Sequence, residues 1–474
     1  MRNDPKLATR PRAAFRLLVF LFAGLLISAC RTTPPAPPEP RNLVLIVSDS
    51  LRADILGCYG GPAHTPNIDS LARRGVVFHR AYSTAPCTLP SSVAMLTGNY
   101  SRTYAHYLKP SAGDTESDND QYCFYVPDSE ILTAERLRAK GITCIASIEN
   151  QVVKRSNILQ GFQTAGDYQV RGLISKIPPD KRFFLLKWFM DPHAPYNPPA
   201  EAVSALKIPW KDLPRKKDFY TRNVYGAFIP LMREGKITKS EIQAFRQLYR
   251  AEVEWMDRRV GMLLEELNAR PDAADTLVVF TSDHGELIGE HNRIGHSEDF
   301  WEPLVRIPLI FKGPGIKKNS IMTTISHLDL IPTLAYILFR SAPEGLQGES
   351  YHGALRQHII PEREPFFDCA SNHLTARWIN TSAMLSREYK LVVNPRGQGG
   401  RNSLYRPYVD QGEMSDFAAK HTRVVERMYA KWKKTWRTNR KRLQANMRRL
   451  GNHAGDLKKK HAETQKILKS LGYL

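Results

Sequence analysis

The segment Asn-Leu-Val-Leu-Ile-Val-Ser at 42–48 is apolar at five successive positions and turns acidic at Asp49. A short continuous apolar run of this kind predicts a strand buried on both faces. Similar runs at Phe183 to Met190, Thr276 to Ser282, Ile142 to Ser147, Val76 to Phe78 and Val305 to Phe311 predict further strands. Between them lie helical patterns. Thr65-Pro66-Asn67 opens a helix with proline in its first turn, and the helix runs to about Arg74 and stops at Gly75. Glu130 to Lys140 reads as a helix closed by Gly141. Residues 239–268 carry Phe245, Leu248, Tyr249, Val253, Met256, Val260, Leu263 and Leu264 at helical spacing. Strands alternating with helices predict an α/β fold, a mostly parallel sheet flanked by helices on both faces. Ligands gather at the carboxyl ends of the strands in such sheets. Asp49, His193 and the pair Asp283-His284 each follow a predicted strand directly.

The texture changes from about Glu362. Short apolar runs at Phe366-Phe367, Met384-Leu385 and Tyr389 to Val393 alternate with polar turns, which predicts a small antiparallel subdomain over 361–421. In the basic helical tail, 422–474, Val425, Met428, Tyr429, Trp432, Trp436, Leu443, Met447 and Leu450 share one helical stripe. Such a stripe suits a helix packed on the domain, or one lying on a membrane surface. The polar stretch at 108–127 reads as a surface loop.

The chain starts with a basic segment (Arg2, Lys6, Arg10, Arg12, Arg16), then an apolar run from Leu17 to Ile27 that is too short to span a bilayer comfortably. It ends Leu26-Ile27-Ser28-Ala29-Cys30, similar to a bacterial lipobox, which implies cleavage before Cys30, lipidation of that thiol and an envelope location on the periplasmic side. The proline-rich 31–41 then acts as a tether, leaving 42–360 as the main domain. Cys58, Cys87, Cys123, Cys144 and Cys369 show no metal-type spacing, and their number is odd. The formal charge of +21 would suit nucleic acid, but 17 Lys and Arg against 3 Asp and Glu lie between Lys420 and Leu474, leaving the rest mildly basic. An exported protein meets anionic lipids and envelope polymers first, so no nucleic-acid partner is expected.

Candidate chemistry centres on Thr84-Ala85-Pro86-Cys87-Thr88-Leu89-Pro90-Ser91-Ser92. Pro90 suits a helix start, and a hydroxyl at Thr88, just before it, would meet free backbone N–H groups and the positive end of the helix dipole. Two carboxylates (Asp49, Asp283) and one imidazole (His284) suit a hard or borderline divalent ion, Ca²⁺, Mg²⁺ or Mn²⁺. Such an ion would acidify the Thr88 hydroxyl and neutralise anionic ester oxygens, while His193 and His296 would bind those oxygens or protonate the leaving alcohol.

These residues resemble the sulfatase family of the alkaline-phosphatase superfamily, from about Asn42 to His421. Leu45 to Asp54 with Gly57-Cys58-Tyr59-Gly60 is similar to its first metal segment. Thr65 to Ala72 resembles the helix after it, and Leu89-Pro90-Ser91 with Leu96-Thr97-Gly98 the nucleophile segment. Met190-Asp191-Pro192-His193-Ala194-Pro195-Tyr196 is similar to the substrate-histidine segment. Ser282 to Glu286, Gly289-Glu290-His291, Gly295-His296 and Arg306 to Ile310 resemble the second metal segment, and Asp329 to Leu334 follows in the expected place. The resemblance implies one divalent metal on Asp49, Ser50, Asp283 and His284, and substrate contacts from His193, His291 and His296. It departs at the nucleophile. Thr88 stands where sulfatases carry the cysteine that becomes formylglycine, Cys87 is one residue too early, and Ser92 replaces an arginine. Ser50 stands where many members have a second metal aspartate, and no Gly-Lys follows His291. Formylglycine is therefore not expected. A threonine ester must be opened by water or an alcohol, which favours phosphate or phosphonate esters, by hydrolysis or transfer, over sulfate esters. A catalytically silent relative that binds anionic glycans or lipids is the alternative from another class.

Overall fold

The computed structural model describes residues 39–108, 121–166, 170–175, 177–204, 224–296, 299–356, 362–368, 381–393 and 402–450. The segment expected as a leader, Cys30 and the tail beyond 450 lie outside these residues. No helix among the described residues is long and apolar enough to cross a membrane.

The main sheet has eight strands: β1 (Asn42–Ser48), β2 (Val76–Phe78), β3 (Thr143–Ile148), β4 (Gln163–Thr164), β5 (Phe183–Phe189), β6 (Thr276–Ser282), β7 (Leu309–Lys312) and β8 (Asn319–Ile321). Their spatial order is β8-β2-β7-β6-β1-β5-β3-β4. Only β7 runs against the others, antiparallel to both β2 and β6. The apolar run of β1 fills the centre, parallel to β5 on one side and β6 on the other, with Ser48 level with Phe189 and Ser282. The strand ends carrying Asp49, Met190 and Asp283 are thereby brought to one edge.

Alternation along β1 separates two cores. Leu43, Leu45 and Val47 pack on one face with helix α2 (Thr88–Thr97) and helix α4 (Leu330–Phe339). Val44 and Ile46 face the other way, towards helix α1 (Pro66–Arg74) and the long helix α3 (Lys239–Asn268). Thr238 caps α3 by accepting from the Glu241 N–H at 3.2 Å, and Glu241 returns a bond to the Thr238 N–H. Removing a side chain such as Ile46 from so closed a layer costs about 2–5 kcal/mol.

Three expectations need correcting. The run Val305 to Phe311 is two pieces: Arg306–Ile307 pairs with Ala81–Tyr82 in a separate small sheet, and β7 begins only after Pro308. Proline has no N–H to give the ladder, so the strand changes partner there. The helix expected over 130–140 is shorter, Thr133–Arg138. The stretch 108–127 is not all loop, because Ala105–Leu108 pairs antiparallel with Gln121–Phe124.

The C-terminal part forms a four-stranded antiparallel sheet of β9 (Phe366–Asp368), β10 (Ser382–Leu385), β11 (Lys390–Val393) and β12 (Ser403–Tyr405). Helix α5 (Thr422–Leu450) lays Met428 and Trp432 on it, against Phe366, Met384, Leu391 and Leu404. Trp432 also donates its indole N–H to Ser382 Oγ at 2.7 Å. A buried pair, Arg102–Asp368, ties this sheet to the main body.

Candidate active site

Thr88 is the first residue of α2, with Cys87 as its N-cap, rather than the residue before the helix. Ser91 N–H closes the first turn on the Cys87 carbonyl at 3.2 Å. Pro90 therefore sits third, where an N–H would still lack a helical partner, so the proline costs nothing. Thr88 is buried, and its Oγ1 lies 3.2 Å from His284 Nε2.

Asp49, Asp283 and His284 each offer one ligand atom, all within 4.8 Å of one another, from fully buried residues. His284 Nδ1–H donates to the Gly285 carbonyl at 2.8 Å, which leaves Nε2 as the lone-pair nitrogen facing the cluster. Burial, then the neighbouring His296, pulls the His284 pKa down to about 3, so the ring is neutral, as a metal ligand must be. Asp283 Oδ1 accepts from the N–H groups of Ser50 and His284 at 3.0 and 2.8 Å. Its other oxygen, Oδ2, is buried and accepts no hydrogen bond. Asp49 Oδ2 accepts from Asn150 Nδ2 at 2.7 Å and Trp188 Nε1 at 3.2 Å, and Oδ1 accepts from the Ser50 hydroxyl at 3.1 Å. Burial and the charge of Asp49 raise Asp283 well above the usual carboxylate range. Two adjoining buried carboxylates, one with an orphaned oxygen, and a lone-pair imidazole nitrogen fit a divalent cation. Ser50 borders this site through its bond to Asp49. Its left-handed backbone, φ +59°, turns the chain so that its N–H meets Asp283.

His296 lies beside the cluster, its ring centre 4.5 Å from that of His284 and 5.3 Å from that of His193. His193 Nδ1–H donates to the Ala194 carbonyl at 2.5 Å. His296 Nδ1 meets Glu286 Oε1 at 3.1 Å, and burial lifts the Glu286 carboxyl to about 7. The structure thus brings together Thr88, Asp49, Ser50, Asp283, His284, His193 and His296. His291 stands apart in its contacts: its ring stacks on Trp301, centroids 4.0 Å apart.

Several further residues, to which the sequence assigns no role, shape the site. Asn150 and Trp188 hold Asp49, and Glu286 orients His296. His327 bonds the Ser282 carbonyl through Nε2 at 2.8 Å and meets Ser91 Oγ through Nδ1 at 3.1 Å. Behind the edge, Glu149 accepts from Lys187 Nζ at 2.8 Å and from Arg259, which also bonds Asp191 Oδ2 at 2.6 Å. One guanidinium therefore clamps the loops that carry Asn150 and His193. Two of these were within reach of the sequence: Asn150 lies three residues past the predicted strand Ile142 to Ser147, at the same sheet edge as Asp49, and His327 stands two residues before Asp329.

The sulfatase family model matches residues 41–127 and 164–338. The chain belongs to the sulfatase family. Membership makes it an ester hydrolase whose family uses a divalent metal, in keeping with the ligand cluster. It is 26% identical over 359 residues to the uncharacterized sulfatase YidJ of Escherichia coli strain K12, covering 65% of this chain and 70% of the relative. It is 24% identical over 439 residues to arylsulfatase K of Canis lupus familiaris, covering 82% and 81%. Among solved structures it is similar to a 2-O GAG sulfatase, with TM-score 0.68 and 18% identity over 86% of this chain and 94% of that one. It is also similar to a phosphonate monoester hydrolase of Agrobacterium radiobacter, with TM-score 0.63 and 18% identity over 85% and 96%. These likenesses agree with the mostly parallel sheet and separate small antiparallel sheet seen here.

Proposed function

We propose that this sulfatase-family member is a hydrolase or transferase for phosphate or phosphonate esters, with Thr88 as its nucleophile. The observation that carries the reading is the 3.2 Å approach of Thr88 Oγ1 to His284 Nε2, beside two buried carboxylates. A divalent cation, Ca²⁺, Mg²⁺ or Mn²⁺, held by Asp49, Asp283 and His284, would lower the pKa of the Thr88 hydroxyl and neutralise the oxygens of the ester. Thr88 Oγ1 attacks phosphorus in line, its bond forming as the ester bond to the leaving alcohol breaks. The start of α2 places backbone N–H groups and a positive dipole end at the same point. The proton that Thr88 gives up as it attacks passes to His193 or His296; while it holds that proton the ring donates to an ester oxygen, and it then gives the proton to the departing alkoxide. Water or a second alcohol then attacks phosphorus and frees the threonine. Threonine cannot become formylglycine, so the elimination route open to a formylglycine sulfate ester is absent here.

Relative rates on nitrophenyl phosphate, phosphodiester, phosphonate and sulfate, each with several divalent ions, test the proposal. Faster turnover of the sulfate would replace it with the sulfatase reading, and no turnover of any ester would favour an anion-binding relative. The lipobox supports a second part of the proposal, an envelope enzyme anchored through lipidated Cys30. Incorporation of labelled palmitate that Cys30→Ala fails to abolish would refute that anchor.

A further inference from the structure

On one face of α5 Met428, Trp432 and Leu443 are buried, and its opposite face carries charge that nothing else in the described structure uses. The helix holds eleven Lys and Arg and a single acid, Glu426. Arg423, Arg427, Lys434, Arg437, Lys441 and Arg448 are all exposed. At 3.6 residues per turn these six fall within about 40° of one line along the helix. That line lies opposite Met428, Trp432 and Leu443, which are buried. The row spans about 37 Å, one positive charge every ~7 Å. None of the six has an ion-pair partner among the described residues, whereas Lys431, off the row, pairs with Glu364 at 2.7 Å. The helix is held in place on its inner side: Arg442 donates to the Gly345 carbonyl at 3.1 Å, and Asn446 to the Thr103 carbonyl at 2.9 Å.

We infer that this face of α5 is a docking surface for a linear acidic polysaccharide, separate from the ester site. A straight row of unpaired cations one helix wide complements a linear polyanion along its whole length. An anionic bilayer fits less well, because Met428, Trp432 and Leu443, which would enter its interface, are turned inward and buried. Single-stranded nucleic acid also fits less well. The aromatic rings that would stack bases are turned away: Trp432 is buried, and cations sit over Tyr429 and Trp436 at 4.8 and 5.3 Å. Asn446 and Arg442 contact the segment that follows α2, and Thr88 begins that ten-residue helix. A polymer held on the row therefore keeps its ester groups at high local concentration near the enzyme.

The test uses the full chain with Thr88→Ala, so binding is read without turnover and independently of the proposed chemistry. Heparin serves as the linear sulfated probe, against phosphatidylglycerol vesicles and a short DNA duplex at the same salt. Exchanging Arg427, Lys434 and Lys441 for glutamine should weaken heparin binding at least tenfold. It should also lower the slope of log affinity against log salt by about two to three. An equal loss of charge elsewhere, Lys236, Lys317 and Lys318 to glutamine, should change affinity less than about twofold by the same counterion argument. Reversal at two positions, Arg427→Glu with Lys434→Glu, should act in the same direction and further. Equal weakening by both triple variants, or vesicles or duplex bound as tightly as heparin, would overturn the inference.

Discussion

Asn150 Nδ2 donates to Asp49 Oδ2 at 2.7 Å, so the end of β3 fixes a carboxylate at the end of β1. Trp188 Nε1 adds a second bond to the same oxygen at 3.2 Å. Asp49 is held from the sheet side, which leaves Oδ1 turned towards Ser50. Asn150→Ala should lower metal affinity about 10- to 100-fold, the usual effect of losing a group that orients a ligand. Turnover at saturating metal should largely recover. Titration with Mn²⁺ at equilibrium reads this directly, and unchanged affinity would deny Asn150 its positioning role.

Thr88→Ala should cut turnover by at least about 10³-fold, as removal of an attacking group does. Metal content should stay near that of the parent, because Asp49, Asp283 and His284 remain. Thr88→Ser keeps an oxygen at the start of α2 and should retain part of the rate. Hydrolysis by the alanine variant at the parental rate would defeat the nucleophile assignment.

Chelation should remove both activity and stability. Without a cation, Asp283 Oδ2 is an unsatisfied buried atom beside a second carboxylate. An ion present at a hundred times its dissociation constant adds about 2.7 kcal/mol to the folded state. Calorimetry in EDTA and after adding back each ion should show the melting temperature rise with the ion that restores turnover. A melting temperature indifferent to every ion would remove the metal site.

Much of this was legible in the sequence because hydrophobic period and local punctuation carried it. Residues 42–48 and 276–282 are apolar runs closed by Asp49 and Asp283, and α3 carries apolar residues at helical spacing over 239–268. Three strand ends with ligand-type residues therefore pointed to one sheet edge. What was missed depends on distant pairing. Arg306 and Pro308 punctuate the run Val305 to Phe311, but only the change of strand partner shows it to be two strands. Asn150 lies 101 residues from the carboxylate it holds, and His327 lies 236 from Ser91. His291 shared the motif with His284 and His296, but its left-handed backbone, φ +51°, accompanies a ring stacked on Trp301.

His327 makes the enzyme's acid sensitivity testable at a residue outside the proposed ligand set. It is 3% exposed, and burial drives its pKa down to about 3, with the Ser282 carbonyl and His284 as lesser influences. The ordinary value for histidine is about 6.5. The unfolded chain therefore takes up a proton below that pH while the folded chain does not, so acid favours unfolding. Stability from this group is whole above about pH 6.5 and declines towards pH 3, by as much as about 1.4 kcal/mol per pH unit. His284 and His296 shift in the same direction, so the slope of the parent enzyme sums several such groups. His327→Gln retains a group able to bond the Ser282 carbonyl and removes one titrating site. Urea unfolding between pH 7 and pH 5, in the presence of chelator, should give the variant a shallower loss of stability than the parent. Parallel curves would show that His327 takes up its proton as readily in the folded chain as in the unfolded one.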